Sequence, residues 1–102
     1  MKYGLTDAEI DKICQVFSQY EKVEKVILYG SSAKGTYKPF SDVDITLVGE
    51  NLTRNDLNAV VLALDDLLLS YEFDVSILSQ LKNDHLMEHI QRVGITIYEK
   101  GG

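Results

Sequence analysis

Two carboxylates one residue apart, Asp42 and Asp44, open the apolar run Ile45 to Val48; Gly30-Ser31 stands upstream, at the end of another apolar run, Val26 to Tyr29. On a strand, side chains at i and i+2 leave from one face, so the two acids can share a cation. Mg²⁺ is typically held by one or two carboxylates together with phosphate oxygens, at ~2.0–2.1 Å. Two such ions ~3.5–4 Å apart can stabilise the attacking and leaving oxygens of an in-line displacement. The plainer reading is a turn residue followed by an exposed strand residue. Aspartate is depleted in strands, which favours a working role for the pair. Gly30 lets an anion approach its backbone closely, and a strand-to-helix turn offers unpaired N–H groups at the positive end of a helix dipole. The Ser31 hydroxyl adds a donor. A Gly-Ser after a strand is more often only a turn, so this dipeptide gains weight from the acids downstream. A third acid, Asp74, lies between the apolar Phe73 and Val75. Burying it is costly unless it is paired or metal-bound, and on a strand beside Asp42 and Asp44 it would complete a three-carboxylate site; alone it reads equally well as an edge-strand acid facing water.

The elements that must position these residues follow from spacing. Thr6 and Glu9 form a capping box ahead of Ile10, Ile13, Cys14, Phe17 and Tyr20, which recur at helical period, predicting a helix over Asp7 to Tyr20. Val26 to Tyr29 is predicted as a short strand, apolar throughout and so central. Ser31 to Lys34 reads as a helical turn closed by Gly35, and Thr36 to Ser41, with the chain's single proline Pro39, as a loop. Ser41 to Val48 is a second strand, with Asp42, Asp44 and Thr46 on one face and Val43, Ile45 and Leu47 on the other. Thr53 with Asp56 caps a helix to about Ser70, its apolar stripe Leu57, Val60, Val61, Leu64, Leu67 and Leu68. Phe73 to Leu78 is a third strand. Ser79 is predicted to cap a last helix over Gln80 to Arg92, ended by Gly94. Ile95 to Tyr98 is a fourth strand and Glu99 to Gly102 a frayed tail. The order predicts an α+β domain over residues 1–102, helices against one small mixed sheet.

Composition bounds the rest. With 102 residues, 45% hydrophobic and 25% charged, the chain fits one soluble globular domain. No apolar run approaches the ~20 residues of a membrane span, and the first residues have no apolar stretch of a signal peptide. A single cysteine, Cys14, excludes an internal disulfide and suits a reducing, cytoplasmic setting. At a net charge of −6, with its 10 Lys and Arg scattered, the chain is not built for general nucleic-acid binding. A single nucleotide carried with its own metal is compatible with that charge.

Gly30-Ser31, ten intervening residues, Asp42-Val43-Asp44 and then Asp74 together resemble the DNA polymerase β-type nucleotidyltransferase superfamily. The short chain and its ending QRVGITIY are similar to the minimal nucleotidyltransferases within it. The resemblance covers nearly the whole sequence. It implies the palm-like nucleotidyltransferase fold and Mg²⁺-dependent transfer of a nucleoside monophosphate, most simply AMP from ATP, to a hydroxyl. It implies Asp42, Asp44 and Asp74 as catalytic metal ligands of a two-Mg²⁺ site, and Gly30, Ser31, Ser32 and Lys34 at the nucleotide phosphates. Minimal members commonly read Gly-Ser-Arg-Ala-Arg-Gly, whereas this chain has Ser32 and Lys34 at the two arginine positions, replacing one cation by a hydroxyl and one planar guanidinium by a point charge. The resemblance also implies a partner, a small helical HEPN-type protein encoded nearby, with the nucleotidyltransferase as its antitoxin. Transfer to a small-molecule alcohol and a non-catalytic binding module are the alternative readings.

Other residues read more plainly. His85 and His89 are one helical turn apart, as metal-binding pairs can be, but no third ligand is evident, and they read as solvent- or partner-facing. Lys38 and Tyr37 read as exposed loop residues, Tyr29 as core and Cys14 as a small buried hydrophobe. The extra apolar residues Ala59, Ala63 and Leu69 beside the Leu57-to-Leu68 stripe raise the prospect of a homo-oligomer or partner interface.

Overall fold

The computed structural model describes residues 5–29, 43–69 and 71–101. Gly30, Ser31, Ser32, Lys34, Lys38, Tyr37 and Asp42, together with the helical turn and loop expected around them, lie outside the described residues, as does Ser70. The described elements are α1 (Asp7–Ser18), β1 (Lys25–Tyr29), β2 (Val43–Val48), α2 (Arg54–Asp65), β3 (Phe73–Ile77), a 3₁₀ turn (Leu78–Gln80), α3 (Asp84–Val93) and β4 (Ile95–Glu99). They form an α+β domain on a four-stranded mixed sheet of order β3-β2-β1-β4. β1 runs antiparallel to both β2 and β4, while β2 and β3 are parallel.

The expected strand faces are borne out where they are described. Val26 and Leu28 of β1 and Val43, Ile45 and Leu47 of β2 are buried with Ile13, Phe17, Val60 and Leu64. α1 and α2 therefore cover one face of the sheet. Tyr20 ties them together, its hydroxyl donating to the Ala59 carbonyl at 3.3 Å. α3 lies on the other face, where a Cβ at Gly94 would collide with the Ile90 carbonyl and the Ile27 side chain. Gly94 adopts φ −64° and ψ 143°. It is needed for room against β1 rather than for a left-handed helix stop.

Both capping boxes form. Glu9 N–H donates to Thr6 Oγ1 at 3.1 Å and Thr6 N–H to Glu9 Oε1 at 2.8 Å. Thr53 and Asp56 repeat the exchange at 2.8 and 3.3 Å. The last helix differs from expectation. It starts at Asp84, not Gln80, because Asn83 caps it by accepting from Leu86 N–H at 3.1 Å. Asn is at least as good an N-cap as Ser, and Ser79 falls instead inside the 3₁₀ turn. α2 ends at Asp65 rather than near Ser70. Leu68 there takes φ 55° and is 89% exposed, off the apolar stripe assigned to it. A left-handed residue after a helix turns the chain, here back toward β3. The tail is ordered further than expected: Glu99 pairs with Lys25 in β4 and as an ion pair at 3.4 Å, and Lys100 Nζ donates to the Glu21 carbonyl at 2.9 Å.

Candidate active site

The parallel pairing of β2 with β3 does what the sequence could only ask for: Asp44 stands opposite Asp74. On the other side of β2, Asp44 stands opposite Tyr29, the last residue of β1. Tyr29, Asp44 and Asp74 thus form one row across three strands, at the end of the sheet where β1 leads into Gly30 and where Asp42 leads into β2. Neighbouring strands run ~4.7–4.9 Å apart, so two acids paired in register come within reach of a shared cation. Asp44 is half-buried and Asp74 exposed. Like charges directly opposite one another on a sheet are destabilising, and a divalent cation between them turns that repulsion into attraction.

The donor set fits a hard cation such as Mg²⁺, which prefers carboxylate oxygens. Among the described residues no group of three or more His, Cys, Asp or Glu gathers around one point. Asp44 and Asp74 supply two carboxylates, and Asp42 lies outside the described residues.

Below this row, toward the middle of the sheet, comes a row of Ile27, Thr46 and Ser76. Thr46 is fully buried, and its hydroxyl accepts from Ser76 at 2.9 Å. Tyr29 is 7% exposed. Burial pushes its phenol above the ordinary range, a hydrogen bond with the Ser76 side chain pulls it back, and the charges of Asp44 and Asp74 push it up again. His89 of α3 sets its ring edge-on to Tyr29, with centroids 6.3 Å apart and planes at 79°. His89 is half-buried beside Tyr29, whereas His85 is exposed.

Sequence reasoning passed over Ser76. The signal was present, since Asp74-x-Ser76 repeats, on the next strand in sequence, the acid-then-hydroxyl alternation of Asp44-x-Thr46. Cys14 behaves as a half-buried hydrophobe far from the site, its thiol at 3.2 Å from the Ile97 carbonyl and pushed up by burial and by Asp11. A cavity of about 440 Å³ lined by Glu21, Lys22, Glu24, Glu50, Asn51 and Lys100 lies at the opposite end of the strands and is no part of the carboxylate site.

The sequence model of the family described as Polymerase beta, Nucleotidyltransferase matches residues 11–101. The chain belongs to this nucleotidyltransferase family. A search of curated proteins finds no match. Among solved structures, this nucleotidyltransferase domain is similar to a chain of a toxin–antitoxin complex with AMP-PNP, at TM-score 0.73 and 20% identity, over 90% of this chain and 74% of that one. It is similar to a chain of the complex between a tri-AMPylated Shewanella oneidensis HEPN toxin and its MNT antitoxin, at TM-score 0.69 and 16% identity, over 94% and 74% of the two chains. It is also similar to a protein assigned as a minimal nucleotidyltransferase, at TM-score 0.68 and 24% identity, over 93% and 95%. These likenesses show the fold, and the α+β sheet described above is the nucleotidyltransferase fold. No helix among the described residues is long and apolar enough to cross a membrane.

Proposed function

We propose that this nucleotidyltransferase moves AMP from ATP to a hydroxyl of a HEPN-type protein encoded nearby, releasing pyrophosphate, and so acts as the antitoxin of that protein. The observation that carries the reading is the register of Asp44 against Asp74 within a nucleotidyltransferase domain. Asp42 and Asp44 would hold two Mg²⁺ ions, with Asp74 completing the set on the acceptor side. When bound, the ions supply charge neutralisation at the attacking and leaving oxygens. Asp74, exposed at the sheet edge, would help take the proton of the incoming hydroxyl. Gly30 and Ser31 would hold the β- and γ-phosphates through backbone N–H groups and a hydroxyl, with Ser32 and Lys34 beside them. Catalysis of this kind is positioning and electrostatics.

A protein acceptor is supported by the neighbours, two of which come from toxin–antitoxin complexes, one with an AMPylated toxin. Mass spectrometry of the chain incubated with the HEPN-type partner, ATP and Mg²⁺ is the test. The expected result is one or more added AMP groups on a partner hydroxyl, most plainly a tyrosine. An unmodified partner with rapid transfer to a small alcohol would overturn the protein acceptor. An unmodified partner that is bound and silenced, with no nucleotide turnover, would make the chain a binding module.

A further inference from the structure

The sheet ends in two edge strands, β4 and β3. An edge presents a row of unpaired N–H and C=O groups, which proteins blunt with bulges, lysines or prolines. β4 is blunted in this way: its pairing with β1 shifts register between Val26 and Ile27, and the Ile97 carbonyl is taken by the Cys14 thiol at 3.2 Å. β3 carries none of these devices. It pairs with β2 residue for residue from Phe73 to Ile77, without bulge, lysine or proline, and its one charge is Asp74.

The direction of the β3 backbone groups follows from one bond. Val43 N–H donates to the Glu72 carbonyl at 2.8 Å. In a parallel ladder a residue bonds to the two residues that flank its partner, and the partner of Val43 is Phe73. Glu72, Asp74 and Ser76 therefore turn their N–H and C=O groups toward β2. Phe73 and Val75 turn theirs outward, to a side where no strand pairs among the described residues. A strand laid along that side would set one residue opposite the exposed Asp74, with its side chain on the same face. Directly opposite residues have Cβ atoms ~4.5–5.5 Å apart, and diagonal neighbours at ~7–8 Å stay within reach of an aromatic side chain.

We propose that the outer edge of β3 is the docking site of the acceptor protein, which lays an extended segment along it as a further strand of the sheet. Main-chain bonds to Phe73 and Val75 give the affinity. The register they set brings a Ser or Thr hydroxyl directly opposite Asp74, or a tyrosine hydroxyl from the diagonal position, to its carboxylate. The proposal rests on the reading of this chain as an AMP transferase with Asp74 on the acceptor side. The acceptor oxygen bonds to the α-phosphorus of ATP, its proton passes to Asp74, and the bond from that phosphorus to the bridging oxygen breaks as pyrophosphate leaves.

The test is residue-resolved amide hydrogen exchange on the whole chain, alone and saturated with the HEPN-type partner. Alone, Phe73 and Val75 should exchange faster than Asp74 and Ser76, whose amides are bonded to β2. In the complex the Phe73 and Val75 amides should slow by about tenfold or more. Val75→Pro removes one outward donor and no ladder bond, a change that edge strands accept. It should raise the KM for the partner about two- to tenfold, the net worth of one hydrogen bond, and leave Mn²⁺ affinity, read by electron paramagnetic resonance, as in the wild type. AMP transfer to a partner that leaves Phe73 and Val75 unprotected, or an unchanged KM in Val75→Pro, overturns the docking edge and leaves the transferase reading standing. Protection in the free chain that grows with its concentration assigns the edge to a second copy of this chain, and protection at every concentration means that the edge is already covered; either overturns the proposal. No AMP transfer to the partner overturns the transferase reading and the docking edge with it. If Val75→Pro fails to fold or loses Mn²⁺ binding, exchange in the wild type decides alone.

Discussion

Along β2, Val43, Ile45 and Leu47 turn into a hydrocarbon core under α1 and α2, while Asp44 and Thr46 between them turn to the opposite face, the side of α3. The two faces are closed by different means. The core face relies on apolar burial, worth ~25 cal/mol per Å² and indifferent to direction. The other face buries Thr46 as completely as its apolar neighbours, and there Ser76 meets its hydroxyl. Stability and chemistry are thus separated by a single residue step, since one strand alternates its side chains between faces. A residue's face, more than its position in the chain, decides whether its loss shows as unfolding or as lost turnover.

Three consecutive residues of β2 test that separation. Asp44→Asn is expected to have the largest effect and none of it on folding: transfer of AMP should fall on the order of a thousandfold, ~4 kcal/mol of transition-state stabilisation, with the melting temperature held or raised as the repulsion from Asp74 is relieved. Steady-state transfer rates beside a thermal melt measure both sides, and a stable variant with wild-type rates would break the comparison. Ile45→Ala, one residue on and fully buried, should cost ~2–5 kcal/mol of stability in denaturant unfolding, and its folded fraction should keep the divalent-ion affinity of the wild type. Thr46→Val sharpens the contrast with the smallest effect. It keeps the shape and strands the Ser76 hydroxyl without its acceptor, so a loss of ~1–2 kcal/mol is expected, visible in the same unfolding curves. A Thr46→Val protein as stable as the wild type would mean that the second face tolerates hydrocarbon as readily as the first.

Much of this was legible in local sequence. The capping boxes at Thr6 and Thr53, the strands around VILY and ITLV, and the burial of Ile45 and Leu64 follow from rules that act over a few residues. The errors fall where two local signals competed or where packing intervened. Ser79 and Asn83 could each cap the last helix, and Asn83 won because Leu81 and Lys82 are spent extending the chain between the 3₁₀ turn and α3. The apolar pattern through Leu67 and Leu68 predicted more helix after Asp65, but the chain had to reverse to lay Phe73 beside Val43. Gly94 was expected as a helix stop, and its reason proved to be the closeness of Ile27 on another element.

The sequence by itself determined the inventory: which residues are acids, which hydroxyls alternate with them, and which face of each strand is apolar, because side-chain alternation is a property of one strand. It also carried enough of a pattern for the nucleotidyltransferase family to be named. What only the tertiary structure decided was the order of the strands and their register. Asp44 and Asp74 are neighbours because β3 pairs parallel to β2 without a slip; shifting the pairing by one residue would have set Asp74 beside Val43 or Ile45 and on the wrong face. The contact of His89 with Tyr29 likewise depends on α3 folding back over β1. No local rule encodes those distances, since they are fixed by long-range pairing and packing.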